Sequence, residues 1–287
     1  VNLWPEALKQ KDLGHYTPLH LACLYQAPLD VIFLLVDCWP DAVREIDMDG
    51  CTPLHLACEF QVSLDIVSFL VDRWPDALEM INEKWYTPLH HACESRAPLE
   101  VVSFLAVRWP NALKMANGDG STPLHLACEN EAPLETVSCL VNLWPEALKQ
   151  KDLGHYTPLH LACLYQAPLD VIFLLVDCWP DAVREIDMDG CTPLHLACEF
   201  QVSLDIVSFL VDRWPDALEM INEKWYTPLH HACESRAPLE VVSFLAVRWP
   251  NALKMANGDG STPLHLACEN EAPLETVSCL VNLWPEA

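Results

Sequence analysis

Seven residues, Thr-Pro-Leu-His-Leu-Ala-Cys, begin at Thr17 and recur at Thr52, Thr87, Thr122, Thr157, Thr192, Thr227 and Thr262. Every interval is 35 residues, and in the copies at Thr87 and Thr227 the fifth residue is His instead of Leu. A fixed period of this length marks tandem supersecondary units that stack on one another. One such unit has no core of its own, so its stability comes from its neighbours. The chain is therefore expected to form one elongated domain over residues 1–287. It reads as a partial repeat at 1–16, full repeats starting at 17, 52, 87, 122, 157, 192 and 227, and a partial repeat at 262–287. A longer repetition overlies this one: residues 1–140 are identical to 141–280. The underlying block thus has four different repeats, used twice, through recent duplication or deliberate joining.

The heptapeptide reads as a helix start. Thr52 can cap a helix with its hydroxyl, and Pro53 suits the first turn, where its missing N–H costs nothing. Leu54, Ala57 and Cys58 form an apolar stripe at helical spacing. His55 lies within a turn of Thr52 and can bridge polar groups there. In the repeat from Thr52, the first helix is expected over 53–60 and the second over 64–74. Ser63 is a candidate cap for the second, and Pro28, Pro98 and Pro133 are placed at its first position in sister repeats. Asp30, Asp65, Glu100 and Glu135 fall in its first turn, where a carboxylate suits the helix dipole. Val67, Leu70, Val71 and Trp74 give the i, i+3, i+4, i+7 stripe of a buried face. Trp74-Pro75 should end the helix, because the residue before proline is disfavoured in α geometry. A short helical turn should follow, anchored by Ala77, Leu78 and Ile81. Trp-Pro recurs at this place in every unit, from Trp4 to Trp284, and reads as a packing ladder. Turn chemistry at Asp49-Gly50, Asp119-Gly120 and Leu153-Gly154 carries the chain into the next unit.

These residues resemble the ankyrin repeat, whose hallmark is Thr-Pro-Leu-His-x-Ala. The resemblance extends over the whole chain. It implies an all-α, ankyrin-like helical-repeat solenoid, with two helices per 35-residue repeat plus the short turn after Trp-Pro. There are departures. Ankyrin repeats usually run 33 residues, and the familiar glycine between the helices is replaced by Ala97-Pro98 or Val62-Ser63. Trp74-Pro75-Asp76-Ala77-Leu78 stands where Gly-Ala-Asp-Val-Asn is usual.

Charge and cysteine usage narrow the function. The net charge of -25, from 41 acidic and 16 basic residues, repels phosphate backbones, so nucleic acid is not an expected partner. The same acidity keeps a chain that is 52% hydrophobic soluble. Of 14 cysteines, eight close the heptapeptide at a core position, where free Cys behaves as a small hydrophobe. No Cys-x-x-Cys pair occurs, so a zinc site is not expected. Reduced thiols imply an intracellular, cytoplasmic protein. The longest apolar runs are too short for a membrane span.

No catalytic, cofactor or metal residues are expected. Phosphate-binding glycine loops, Gly-x-Ser-x-Gly and His-Glu-x-x-His are all missing from the sequence. The repeated histidine at the fourth motif position reads as a structural hydrogen bond. His91 and His231 replace a core leucine, and His90-His91 with Glu94 superficially suggests metal or acid–base chemistry. Adjacent helical residues point in different directions, however, and the i, i+4 zinc spacing is not met.

The positions that vary between repeats are more informative. In ankyrin-like stacks the loop tips and first-helix surfaces line the binding face. Aromatics there suit protein recognition: Tyr25, Phe60, Trp85 and Tyr86, with their copies Tyr165, Phe200, Trp225 and Tyr226. Some could instead pack against the next repeat. The expected function is a non-enzymatic protein–protein interaction scaffold, or alternatively a self-assembling array of copies joined head to tail. The second reading expects atypical capping repeats to be missing and Leu3, Trp4, Leu264, Leu280 and Trp284 to be exposed. Such faces would join into a filament or ring.

Overall fold

The computed structural model describes residues 6–284. Among them are sixteen α-helices and eight 3-10 helices, and no strand. The chain divides into two compact units, Val1–Ala147 and Leu148–Ala287. Each is a stack of one helix pair repeated.

The repeat from Thr52 shows how the sequence makes the pair. The first helix, Pro53–Glu59, starts with a reciprocal cap. Thr52 Oγ1 accepts from the His55 backbone N–H at 3.4 Å, and His55 Nδ1 accepts from the Thr52 backbone N–H at 3.2 Å. Histidine therefore does here what Glu or Gln does in the usual capping box. Because Nδ1 accepts, Nε2 carries the proton, and it donates to the carbonyls of Tyr86 at 3.1 Å and Met80 at 3.2 Å. One side chain thus caps its own helix and ties it to the next connector. The same cap recurs at every described heptapeptide.

The second helix is Leu64–Arg73. Ser63 is its N-cap residue without a side-chain cap bond. Pro28, Pro98 and Pro133 also occupy the N-cap, one residue earlier than their expected first-turn place. Proline fits there because its extended ψ turns the chain into the helix while its carbonyl accepts the first helical N–H groups, as Pro98 does from Val101 and Val102. Ile66, Val67, Leu70 and Val71 are buried, but Trp74 is half-buried and lies outside the helix. Its φ of -147°, imposed by the following proline, swings it off the buried stripe. The expected short turn is a 3-10 helix, Pro75–Glu79. Ala77 and Leu78 anchor it, whereas Ile81 lies past its end and is exposed.

Within each unit, first helices pack on first helices and second helices on second helices. Phe33 stacks on Phe69 at 4.3 Å between ring centres, and Phe173 on Phe209 at 4.2 Å. The connectors also join: Met48 N–H donates to Gly14 O, Glu83 N–H to Asp49 O and Gly118 N–H to Lys84 O. Of the apolar residues expected to be exposed, Leu3 and Trp4 lie outside the described residues. Leu280 is buried, because its helix face packs on the first helix of its own repeat and on the preceding second helix. Leu264 and Trp284 are half-buried.

The glycine missing between the helices has its counterpart one residue earlier than expected. Gln26, Gln61, Arg96 and Glu131 adopt left-handed backbone, with φ of 54°, 55°, 58° and 51°. That geometry usually selects glycine. These side chains instead reach the next repeat. Gln26 Nε2 donates to Phe60 O at 2.7 Å, Gln61 Nε2 donates to Ser95 O, and Arg96 pairs with Glu131 at 3.4 Å. An exposed polar ladder offsets the backbone cost.

Candidate functional site

Connector tips and the ends of first helices make one face of each stack, and the expected binding residues distribute unevenly over it. Tyr25 is 77% exposed and Tyr165 42%. Phe60 is half-buried, and Phe200 sits at the margin of exposure. Trp85 and Trp225 are 60% exposed, with φ of 65° and 64°. The equivalent connector positions hold Gly50 and Gly120, at φ 76° and 80°, and His15, at φ 60°. A bulky side chain in this region is strained, so the loop holds an indole in a conformation made for glycine.

Tyr86 and Tyr226 depart from the expectation of an open surface: each is only 8% exposed. The connector folds the Tyr86 ring against the following helix, 5.0 Å from the His91 ring and 5.6 Å from His90. Its hydroxyl donates to Glu94 Oε1 at 3.2 Å. Trp85 and Tyr86, neighbours in sequence, therefore serve different ends, one facing solvent and the other forming a wall.

That wall belongs to a pocket of about 400 Å³ between the second and third repeats. Asp49 and Cys51 come from one connector, Asn82, Lys84 and Tyr86 from the next, Glu59 from one first helix, and His91 and Glu94 from the following one, with Ser95 as its C-cap. At its floor is Asn82. Asn82 Oδ1 accepts from the backbone N–H groups of Lys84 at 3.0 Å and Tyr86 at 2.9 Å. This orients the amide, and Nδ2 then donates to Cys51 Sγ at 3.3 Å and to His91 Nε2 at 3.2 Å. His91 is 6% exposed and also lies edge-on to His55 at 5.6 Å.

His91 lines the pocket, and its Nδ1 is buried without a hydrogen-bond partner. Its nearest carboxylate oxygens are Glu59 Oε2 at 3.8 Å and Glu94 Oε2 at 3.9 Å. Burial, followed by the charges of His55, His90 and Lys84, pushes His91 down to about 3. The ring is neutral near pH 7, and its contacts with the glutamates are not ion pairs. Burial and the neighbouring Glu94 carboxylate raise Glu59 above the usual carboxylate range. The second unit repeats the hydrogen bonds around a smaller pocket of about 130 Å³. Asn222 Nδ2 donates to Cys191 Sγ and His231 Nε2, both at 3.2 Å, and Tyr226 donates to Glu234 at 3.2 Å. His231 Nδ1 is again without a hydrogen bond, 3.5 Å from Glu199.

The constellation His90, His91, Glu94 does not assemble. His90 Nδ1 accepts from the Thr87 N–H, and Nε2 donates to Met115 O, so both nitrogens are committed away from the pocket. Sequence reasoning singled out His91 but missed Cys51, Glu59 and Asn82. A signal existed. The position of Asn82 is Asp12 and Asp47 in the two preceding repeats and Asn117 in the next, and only at Asn82 and its copy Asn222 does the amide coincide with an extra histidine nine residues later.

Among the described residues, no helix is long and apolar enough to cross a membrane. The family model described as ankyrin repeats (3 copies) matches residues 19–112, 100–184 and 167–252, and the single ankyrin-repeat model matches residues 259–283. No curated protein matches the chain significantly.

Proposed function

The chain belongs to the ankyrin-repeat family, and from that membership we propose that it is a non-enzymatic scaffold, binding a partner protein on the face of connector tips and first helices. Ankyrin repeats are generally protein–protein interaction modules. The observation that carries the reading is Trp85, repeated as Trp225. Each is exposed, and each holds left-handed backbone where two of the three sister repeats use glycine and the third histidine. A strained, solvent-facing indole contributes little to packing, and Trp is enriched among residues that dominate protein interfaces. Tyr25 and Tyr165, with Phe60 and Phe200 at the rim, extend the aromatic surface.

The test is affinity capture with the whole chain and with a variant carrying Trp85→Ala and Trp225→Ala. A defined protein partner should be retained by the first and weakened at least about 30-fold for the second, the scale of an interface anchor. Equal capture by both removes these residues from the interface. The competing reading is the self-assembling array. Sedimentation velocity over a dilution series separates the two, because a mass that grows with concentration favours head-to-tail association. An intracellular, cytoplasmic location is part of the proposal. It is supported by buried free thiols such as Cys23, Cys58 and Cys93, and cell fractionation tests it. The net charge of -25 supports a partner other than nucleic acid.

A further inference from the structure

The pocket on this face has an unmatched set of hydrogen-bonding groups, and counting them identifies its complement. Asn82 cannot turn its amide over without losing the two backbone N–H groups held by Oδ1. Its Nδ2 therefore stays a donor toward His91 Nε2. An imidazole nitrogen that accepts leaves the proton on the other nitrogen, so His91 Nδ1 is a buried N–H donor without an acceptor, at the lining of the pocket beneath the Glu59 and Glu94 side chains. Beside it, Glu59 Oε2 and Glu94 Oε2 are acceptors at 3.8 Å and 3.9 Å. The other Glu94 oxygen already accepts from Tyr86. Next to the His91 ring the open places are thus one donor and two acceptors, and the lining adds one opposite pair of charges, Lys84 and Asp49.

Most ligand classes fail this count. A divalent metal needs a lone pair on Nδ1, which the Asn82 contact replaces with a proton. An ammonium or guanidinium group has no acceptor for His91. A carboxylate or phosphate meets three carboxylates, Asp49, Glu59 and Glu94, against the single cation Lys84. A hydroxyl supplies one donor where two are needed. A primary carboxamide supplies one acceptor oxygen and two N–H donors.

We propose that this pocket, and its copy around His231, binds a primary carboxamide carried on a glutamine or asparagine side chain of the partner protein. The part-exposed Glu59 and Glu94 side chains draw apart to admit it, the carbonyl oxygen accepts from His91 Nδ1–H, and the amide N–H groups donate to the two glutamates. The His91 donor is buried and a carboxylate of the wrong sign would be repelled, so the site rejects glutamate and aspartate at the same position. This assignment rests on the partner-binding reading above, but its test needs no partner.

The protein is titrated with propionamide, and the imidazole nitrogens are followed by long-range ¹⁵N–¹H NMR. The free protein should show His91 and His231 as Nδ1–H tautomers. Propionamide should shift both Nδ1 signals saturably, with a Kd on the order of 10 mM for so small a ligand. Propylammonium and propionate should leave them in place. A capped glutamine peptide should bind more tightly than propionamide, whereas its glutamate counterpart should not bind. The side-chain amides of Asn82 and Asn222, which contact the two rings, give a second readout and should shift with propionamide; His91→Leu with His231→Leu restores the leucine found at Leu56 and Leu126, so it should fold and lose that amide shift. Asn82→Asp with Asn222→Asp should reverse the preference. An acceptor facing Nε2 moves the proton there and leaves Nδ1 as an acceptor, so propylammonium should now bind in place of propionamide. Four results would overturn the proposal: the Nε2–H tautomer in the free protein, no saturable shift, an undiminished shift in the leucine variant, or a capped glutamine peptide no tighter than propionamide. Capture of the partner and its dependence on Trp85 are read separately, so failure here leaves the scaffold reading standing.

Discussion

Mild acid should destabilise this protein well above the range in which carboxylates titrate. Seven of the eight fourth-position histidines, all but His265, are fully buried, with Nδ1 accepting from a backbone N–H and, in His20, His55, His90, His160, His195 and His230, Nε2 donating to a connector carbonyl. His55 shows both contacts. A second proton on such a ring meets an N–H donor and has no water to solvate the charge. Burial accordingly pushes His20, His55, His90, His195 and His230 from 6.5 down to about 4. His91 and His231 fall to about 3. In the unfolded chain the same rings titrate near 6.5. As pH falls below that value, the unfolded state takes up protons that the native state refuses, and stability drops until the native rings also titrate. The stability is fully present above 6.5 and is lost progressively down to about 4. At about pH 5, one histidine displaced this far costs about 2 kcal/mol, and seven act in the same direction. Domains are commonly stable by only about 5–15 kcal/mol, so two or three such rings already matter. Asp47, Glu59, Asp187 and Glu199 have raised values, caused first by burial. They favour the native state as pH falls through those values, but they are fewer and act lower in the pH range. Urea midpoints from far-ultraviolet circular dichroism should fall steeply between about pH 7.5 and pH 5. A midpoint unchanged over that interval, or imidazole NMR titrations of the motif histidines centred near 6.5, would refute the argument.

Three further outcomes are expected. Trp85→Gly should raise the urea midpoint, with a gain of about 0.5–1 kcal/mol from relieving a left-handed residue, while weakening partner capture; a loss of stability would mean that the indole packs. Gln61→Ala should cost about 1 kcal/mol through the lost bond to Ser95 O, whereas Gln61→Gly should cost less because the backbone cost disappears too. In a thiol-labelling time course, exposed Cys38 and Cys178 should react within the first phase, and Cys23 and Cys163, which burial pushes up to about 12, should react only on unfolding.

Most of the architecture was legible along the chain because its causes are local. Thr, Pro and His within four residues make the cap. Trp-Pro stops the second helix within one peptide bond, and the 35-residue period announces that each unit needs a neighbour. The errors were also local in origin. Pro98 was one residue off because proline suits both the N-cap and the first turn. The left-handed position was sought at Val62-Ser63 because Gln61 carries no glycine to mark it, and only the bond from Gln61 to the next repeat explains its tolerance there. The pocket was not legible in this way. Its members run from Asp49 to Ser95 and come from two connectors and two helices. The proton on His91 Nδ1 is decided by an asparagine nine residues earlier, and that asparagine is itself held by two backbone N–H groups. Tyr86 and Trp85 share a loop and a chemistry in the sequence, yet one is walled in and the other faces water. Period and caps depend on neighbours a turn away, so a reading of the chain recovers them. Burial and tautomer depend on which atoms meet across repeats, and only the packed stack settles that.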